Sequence, residues 1–349
     1  MYAFVSTVLF LQIWNDLDNN WDDVSAKALS FLKIVVVCSS GFKVLALIVL
    51  KDPLSTIRNF LLDNRVNSGD KAFDQFEQIN FNRSARKMVR LMFGLVSVET
   101  IILSIPNETM ARVYAIPPPM DKAGKLITNL LYQIFVSSIA FSLLPGLFSH
   151  LSCAGVLIMG MRMKLKMLEH RCNQLAKMSI VDEVNYFEIM SREVREFIRQ
   201  QMEYTRHFNM LASIAGKMFL VVHYNAILGI ALYIFLANSL GLNVFACAFI
   251  FMSLAWLLEY YIWCQLVDSL QEPAYSIAEL MYVICVRMPH SHEHHSEYIQ
   301  LRTTFMIIRM RNSKGYIVNC FGMVRICLLS FVSVVNMVFT VLTFLINIS

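Results

Sequence analysis

Long stretches of apolar sequence leave this chain few options. An α-helix of about 20 apolar residues crosses a hydrocarbon core of ~30 Å, and no other open structure can do so without stranding backbone polar groups. Such runs occur at Ala28–Leu50, Leu126–Gly160, Phe208–Ala237, Leu242–Val267 and Ile317–Ile346. Leu91–Ile105 is shorter but extends back through the basic stretch before it. Tyr2–Trp14 is apolar yet too short, without the basic start or small-residue cleavage site of a signal peptide, and reads as the outer part of a first helix whose beginning precedes this chain. The expectation is an all-α, polytopic, single-domain protein with seven transmembrane helices. Composition agrees: 57% of the 349 residues are hydrophobic and only 16% charged, where a soluble domain carries about 25% charged residues.

Lys and Arg resist translocation, so their distribution orients the spans. The Lys51–Arg90 loop carries Lys51, Arg58, Arg65, Lys71, Arg83, Arg86, Lys87 and Arg90. Met161–Arg206 is equally basic, and a third loop has Arg287, Arg302, Arg309, Arg311 and Lys314. The intervening Asn15–Ala26 is acidic, Pro106–Lys125 has only Arg112, Lys122 and Lys125, and Asn238–Gly241 has no basic residue. This puts the N-terminus inside and the C-terminus outside, the reverse of a G-protein-coupled receptor. No Asp-Arg-Tyr follows the third span and no Asn-Pro-x-x-Tyr occurs in the seventh. Asn107-Glu108-Thr109 is an N-glycosylation sequon on the outer side.

Leu126–Gly160 would span roughly 50 Å as a helix, with Pro145-Gly146 expected to kink it. Beyond it, apolar residues recur at helical spacing through the charged segment 161–206, and 268–316 behaves alike. These predict cytosolic helical extensions of the fourth to seventh spans, forming an anchor layer between subunits. The cysteines Cys38, Cys153, Cys172, Cys247, Cys264, Cys285, Cys320 and Cys327 include no C-x-x-C pair and read as buried or reduced thiols. His290, His292, His294 and His295 cluster in a predicted cytosolic loop, where a solvated loop is the plainer reading than a metal site. No phosphate-binding Gly loop, nucleophile elbow or HExxH motif occurs, so nothing points to an enzyme, a cofactor or a nucleic-acid partner.

The last third carries a resemblance. Tyr260-Tyr261-Ile262-Trp263-Cys264-Gln265-Leu266-Val267 leads into Tyr275-Ser276-Ile277-Ala278-Glu279-Leu280-Met281-Tyr282, then Ile307-Ile308-Arg309-Met310-Arg311, then Asn336-Met337-Val338-Phe339-Thr340-Val341-Leu342. In order and spacing these are similar to the sixth-span exit, the approach to the last helix and the terminal motif of insect odorant receptors. Asn336 and Val338 stand at the family's two tyrosine positions, and Val267 where Gly is usual. The resemblance implies a tuning subunit of an odorant-gated, nonselective cation channel in the plasma membrane of olfactory neurons. Such subunits form heterotetramers with a shared coreceptor, bind a small volatile organic ligand in an apolar pocket, and line the pore with their seventh helices. Gustatory receptors share the topology and are the nearest alternative; a transporter would be expected to show an internal repeat, and none is visible.

By the same resemblance Val341 and Leu345 fall where the family has its hydrophobic constriction, a ring that closes a pore by dewetting; as ordinary aliphatics they would simply pack. Asn336 is a candidate for polar pore lining or a helix–helix hydrogen bond. Ionisable residues within spans are costly, which singles out Lys33, Lys43, Glu99, Lys217, Glu259 and Arg325. Lys43 is expected to snorkel to the cytosolic interface and Arg325 to lie in the inner part of the seventh span. Glu99 and Glu259 are expected either to contact a polar ligand group or to hydrogen-bond within the bundle. The pocket candidates are Val36, Val37, Glu99, Ile102, Phe135, Ile139, Phe249, Trp256 and Tyr260, the last three sharing one helix face.

Overall fold

The computed structural model describes residues 2–19, 24–105, 125–178, 183–241, 243–290 and 294–348. The sequon at Asn107 and the residue His292 lie outside them. The helices are α1 (Tyr2–Asn19), α2 (Val24–Val49), α3 (Lys51–Leu62), α4 (Lys71–Ser104), α5 (Lys125–Ser138), α6 (Leu144–Ala176), α7 (Glu183–Ser239), α8 (Val244–Asp268), α9 (Gln271–Arg287), α10 (His295–Ser313) and α11 (Leu328–Ile348). Five segments, in α2, α6, α7, α8–α9 and α11, are long and apolar enough to cross a membrane. The other two expected spans correspond to α1, apolar over Val5–Trp14, and to the second half of α4.

Local chemistry sets the boundaries. Asp70 caps α4, its carboxylate accepting from the Ala72 and Phe73 N–H groups at 2.9 and 3.4 Å. Asn243 does the same for α8, accepting from Ala246 N–H at 2.7 Å. Between α5 and α6 the chain takes one π-helical turn, Ile139–Leu143. Pro145 has no N–H, and its ring crowds the carbonyl four residues back, so the preceding turn widens. The kink expected at Pro145-Gly146 is therefore a π-bulge just upstream.

α7 is the spine. At 57 residues it is roughly 85 Å long, far beyond a bilayer, and it packs against α8, α11, α2 and α6. Large apolar side chains fill one continuous core along it, including Phe197, Tyr204, Phe219, Trp256 and Trp263. A smaller cluster of Val5, Val8, Leu9, Val37, Phe135, Ile139 and Leu143 holds α1 against α2 and the π-turn. α6 continues without a break into the charged segment as far as Ala176, and α9 packs on both α10 and α6. Lys164 of α6 donates to the Asp63 and Val66 carbonyls at 2.8 and 3.2 Å and so finishes α3.

One expectation fails. α10 does not run into α11, and the apolar stretch from Ile317 does not begin the last helix. A two-stranded hairpin pairs Asn319 with Arg325 and Cys320 with Val324. Its turn has positive φ at both Phe321 (49°) and Gly322 (74°), which a right-handed helix cannot accommodate. Arg325 therefore lies on an exposed strand ahead of α11, not within it. Gly216 of α7 lets the hairpin approach, since a Cβ there would meet the Asn319 carbonyl oxygen at 2.4 Å.

Candidate functional site

Where α1, α2, α4, the π-turn, α6, α7 and α8 converge they line a partly enclosed cavity of about 60 Å³. Its walls include Leu9, Leu32 and Leu103 with Leu143 of the turn, Leu144 of α6, and Ala248 and Met252 of α8. Val36, Glu99, Ile139 and Phe249, all named from the sequence, line it as well. Its polar groups come from Lys33, Glu99 and Tyr233. Glu99 is 3% exposed, and its Oε2 makes no hydrogen bond within the described structure. A buried carboxylate oxygen left without a donor is costly, so it is poised to accept from a molecule in the cavity.

The other sequence candidates lie close by without lining the cavity. Val37 and Phe135 belong to the small cluster beside it, and Ile102 is half-buried against the main core. Phe249, Trp256 and Tyr260 do share a buried face of α8, but only Phe249 reaches the cavity. Trp256 stands edge-on to Tyr233, ring centroids 5.4 Å apart, over Gly229, where a Cβ would come within 1.9 Å of the indole. Tyr260 hydrogen-bonds His223 Nδ1 at 3.0 Å. Sequence reasoning missed Leu9 and Tyr233, which come from spans left out of the pocket. It also missed Lys33, Leu103 and Met252, each three or four residues from a named neighbour on the same helix.

Deeper in the bundle an ionic cluster joins three helices. Lys43 of α2 lies 3.0 and 3.1 Å from the two Glu259 carboxylate oxygens of α8 and also donates to the Leu147 carbonyl of α6 at 2.9 Å. His150 Nε2 of α6 is 2.9 Å from Glu259 Oε1, though misaligned for a hydrogen bond. All three side chains are nearly inaccessible. Lys43 therefore does not snorkel. It lies on the buried face of α2 with Ser39 and Ser40, and Gly146 brings α6 so close that a Cβ would sit 2.4 Å from Ser40 Oγ. Glu259 takes up its structural alternative, pairing within the bundle rather than facing the cavity.

On α11 only Val334 and Val338 are buried. Val341 and Leu345 are half-buried on the same side against the core. Asn336 is exposed, about 140° and 180° around an ideal helix from Val341 and Leu345. It shares its face with Ser333, Thr340 and Thr343, all exposed, whose hydroxyls bond only to carbonyls of their own helix. Among the described residues no group of three or more His, Cys, Asp or Glu is placed to hold a metal; the His290 and His295 rings lie 5.6 Å apart.

No family model matches the sequence, and no curated protein sequence does. Solved structures do match, in 18 chains. The insect olfactory receptor OR5 from Machilis hrabei superposes with a TM-score of 0.74 at 13% identity, over 99% of this chain and 88% of that one. The same receptor in complex with eugenol gives 0.75 at 12% identity with the same coverage. This chain is an all-helical polytopic membrane protein with the insect olfactory receptor fold.

Proposed function

We propose that this protein is the odorant-binding tuning subunit of a ligand-gated, nonselective cation channel, assembled with a shared coreceptor as a heterotetramer in the plasma membrane. Seven helices cross the bilayer, α1, α2, α4, α5–α6, α7, α8 and α11, with the N-terminus inside. The reading rests first on the cavity, a mainly apolar, partly enclosed hollow into which Glu99 brings an oxygen, Oε2, that has no hydrogen-bond partner among the described residues. The fold likeness supports it, since one matched receptor structure is in complex with eugenol, a small molecule. An apolar cavity of roughly 150 Å³ accepts benzene; this one, at about 60 Å³, takes a ring-bearing ligand only when its walls move apart. Met252 and the leucines are the side chains able to move.

The channel part rests on α11. A transmembrane helix turning Ser333, Asn336, Thr340 and Thr343 outward is poorly matched to lipid and well matched to a water-filled path shared with other subunits. Val341 and Leu345, the constriction implied by the resemblance, lie on the opposite face against the chain's own core, so this reading gives the pore lining to the Asn336 face. The test is a current recording from cells expressing the chain with and without the odorant coreceptor. Ligand-evoked cation current only in the presence of coreceptor supports the reading; robust current from the chain alone replaces it with a gustatory-type or homomeric channel.

A further inference from the structure

A larger hollow lies elsewhere in the molecule. A groove of about 870 Å³ opens on the outer surface of the bundle between α3, α4 and α6. Its sides are apolar, with Met92 and Phe93 from α4 and Phe148 and Leu157 from α6. Its third side is a single stripe of α3 at helical spacing, Lys51, Leu54, Ser55 and Arg58. Two basic residues and no acidic one line the groove. Neither Lys51 nor Arg58 forms an ion pair among the described residues; Arg58 makes one 3.4 Å contact to the Asn59 side chain. A second hollow of about 590 Å³ lies on the other side of Leu47 and shares Lys51 with the first.

We infer that this groove is a binding site for an anionic glycerophospholipid of the cytoplasmic leaflet. From Pro145 to Leu157 the α6 wall is roughly 18 Å long, close to one leaflet of a ~30 Å hydrocarbon core. One acyl chain fits the large groove and the second fits the adjoining hollow. Lys51 lines both hollows, and Arg58 lies two helical turns along α3, so the two cations flank the path of the lipid phosphate. The occupant is a lipid because the walls of both hollows are mainly apolar, with Met92, Phe93, Phe148 and Leu157 in the groove and exposed Ile48 in the adjoining hollow. It is an anionic one because two unpaired cations face it and no carboxylate does. Cytoplasmic leaflets carry phosphatidylserine and phosphoinositides, which attract such basic groups. The leaflet rests on the orientation proposed above; the site itself does not.

The full chain reconstituted in nanodiscs of mixed phosphatidylcholine and phosphatidylserine, then examined by native mass spectrometry, reads the lipid retained. The wild-type protein should hold phosphatidylserine in preference to phosphatidylcholine. Lys51→Ala and Arg58→Ala should each lower that preference about fivefold, as expected for one basic residue near a charged headgroup, and the double variant should abolish it. Ser152→Trp, which fills the groove from α6, should displace both lipids. Equal retention of the two lipids by the wild type overturns the inference, as does undiminished phosphatidylserine in the double variant or in Ser152→Trp. None of these outcomes depends on an odorant response, so the channel reading stands or falls separately.

Discussion

A lysine, a glutamate and a histidine buried together in a membrane bundle are expensive to desolvate, and that cost makes the cluster informative. With Lys43 in place Glu259 has a countercharge; Lys43→Met leaves the carboxylate buried against His150 alone. Breaking a buried pair from one side costs about 3–5 kcal/mol, whereas replacing both partners by apolar groups is close to neutral. Lys43→Met should therefore lower the thermal midpoint of the solubilised protein sharply, and Lys43→Met with Glu259→Leu should recover most of it. A double variant as unstable as the single one would mean that His150, not Lys43, governs the site. Glu99 is the opposite case, an acid whose Oε2 is unpartnered in the structure. Glu99→Leu should weaken the response to alcohols and phenols about fivefold, the worth of one hydrogen bond of about 1 kcal/mol, and leave hydrocarbon ligands unchanged. Dose–response curves for a matched pair of ligands check this.

At the scale of elements, what the sequence made legible was periodic and local. The apolar runs mark the helices, and Val36 and Phe249 reach the cavity from strongly apolar helices, while Glu99 comes from the second half of α4 and Ile139 from the π-turn. What it hid was non-local. Lys43 and Glu259 are 216 residues apart, and no spacing rule joins them. The hairpin before α11 was masked by an apolar stretch that reads as helix until the positive φ at Phe321 and Gly322 is known. Tyr233 joins the cavity only through the close contact of α7 and α8 at Gly229. That contact gives a prediction: Gly229→Ala puts a methyl into the Trp256 ring, and the ring can relieve the clash only by shifting against Tyr233. Overpacking of this kind costs about 1–3 kcal/mol. The expected result is a receptor that reaches the surface with an altered odorant dose–response and unchanged basal current. An unaltered dose–response would separate Trp256 from the cavity.

For the whole molecule, orientation and pore are linked. The basic segments Lys51–Arg90 and Met161–Arg206 require a tag at Lys177 to be reached only after permeabilisation, and one at Ser349 to be reached on intact cells; the reverse would remove the channel reading with it. Given that orientation, α11 offers two faces to the assembly, and one straight helix cannot turn both to a central axis. The aliphatic face of Val341 and Leu345 leans on its own core, while the exposed face carries Ser333, Asn336, Thr340 and Thr343 among the apolar Leu329, Val332 and Phe339. Leaving those polar groups in lipid is unfavourable, and a water-filled path relieves it. Asn336→Leu should therefore change the ratio of permeabilities among monovalent cations in channels formed with the coreceptor. Val341→Ser tests the other face: if a dewetted ring closes there, a small hydroxyl should wet it and raise the current without odorant. We expect the Asn336 substitution to have the larger effect on permeability, because Val341 only flanks the exposed face. A leaky Val341→Ser beside a silent Asn336→Leu would turn α11 by about 140° relative to the pore axis. If both variants reach the surface with wild-type leak and permeability, α11 does not line the pore.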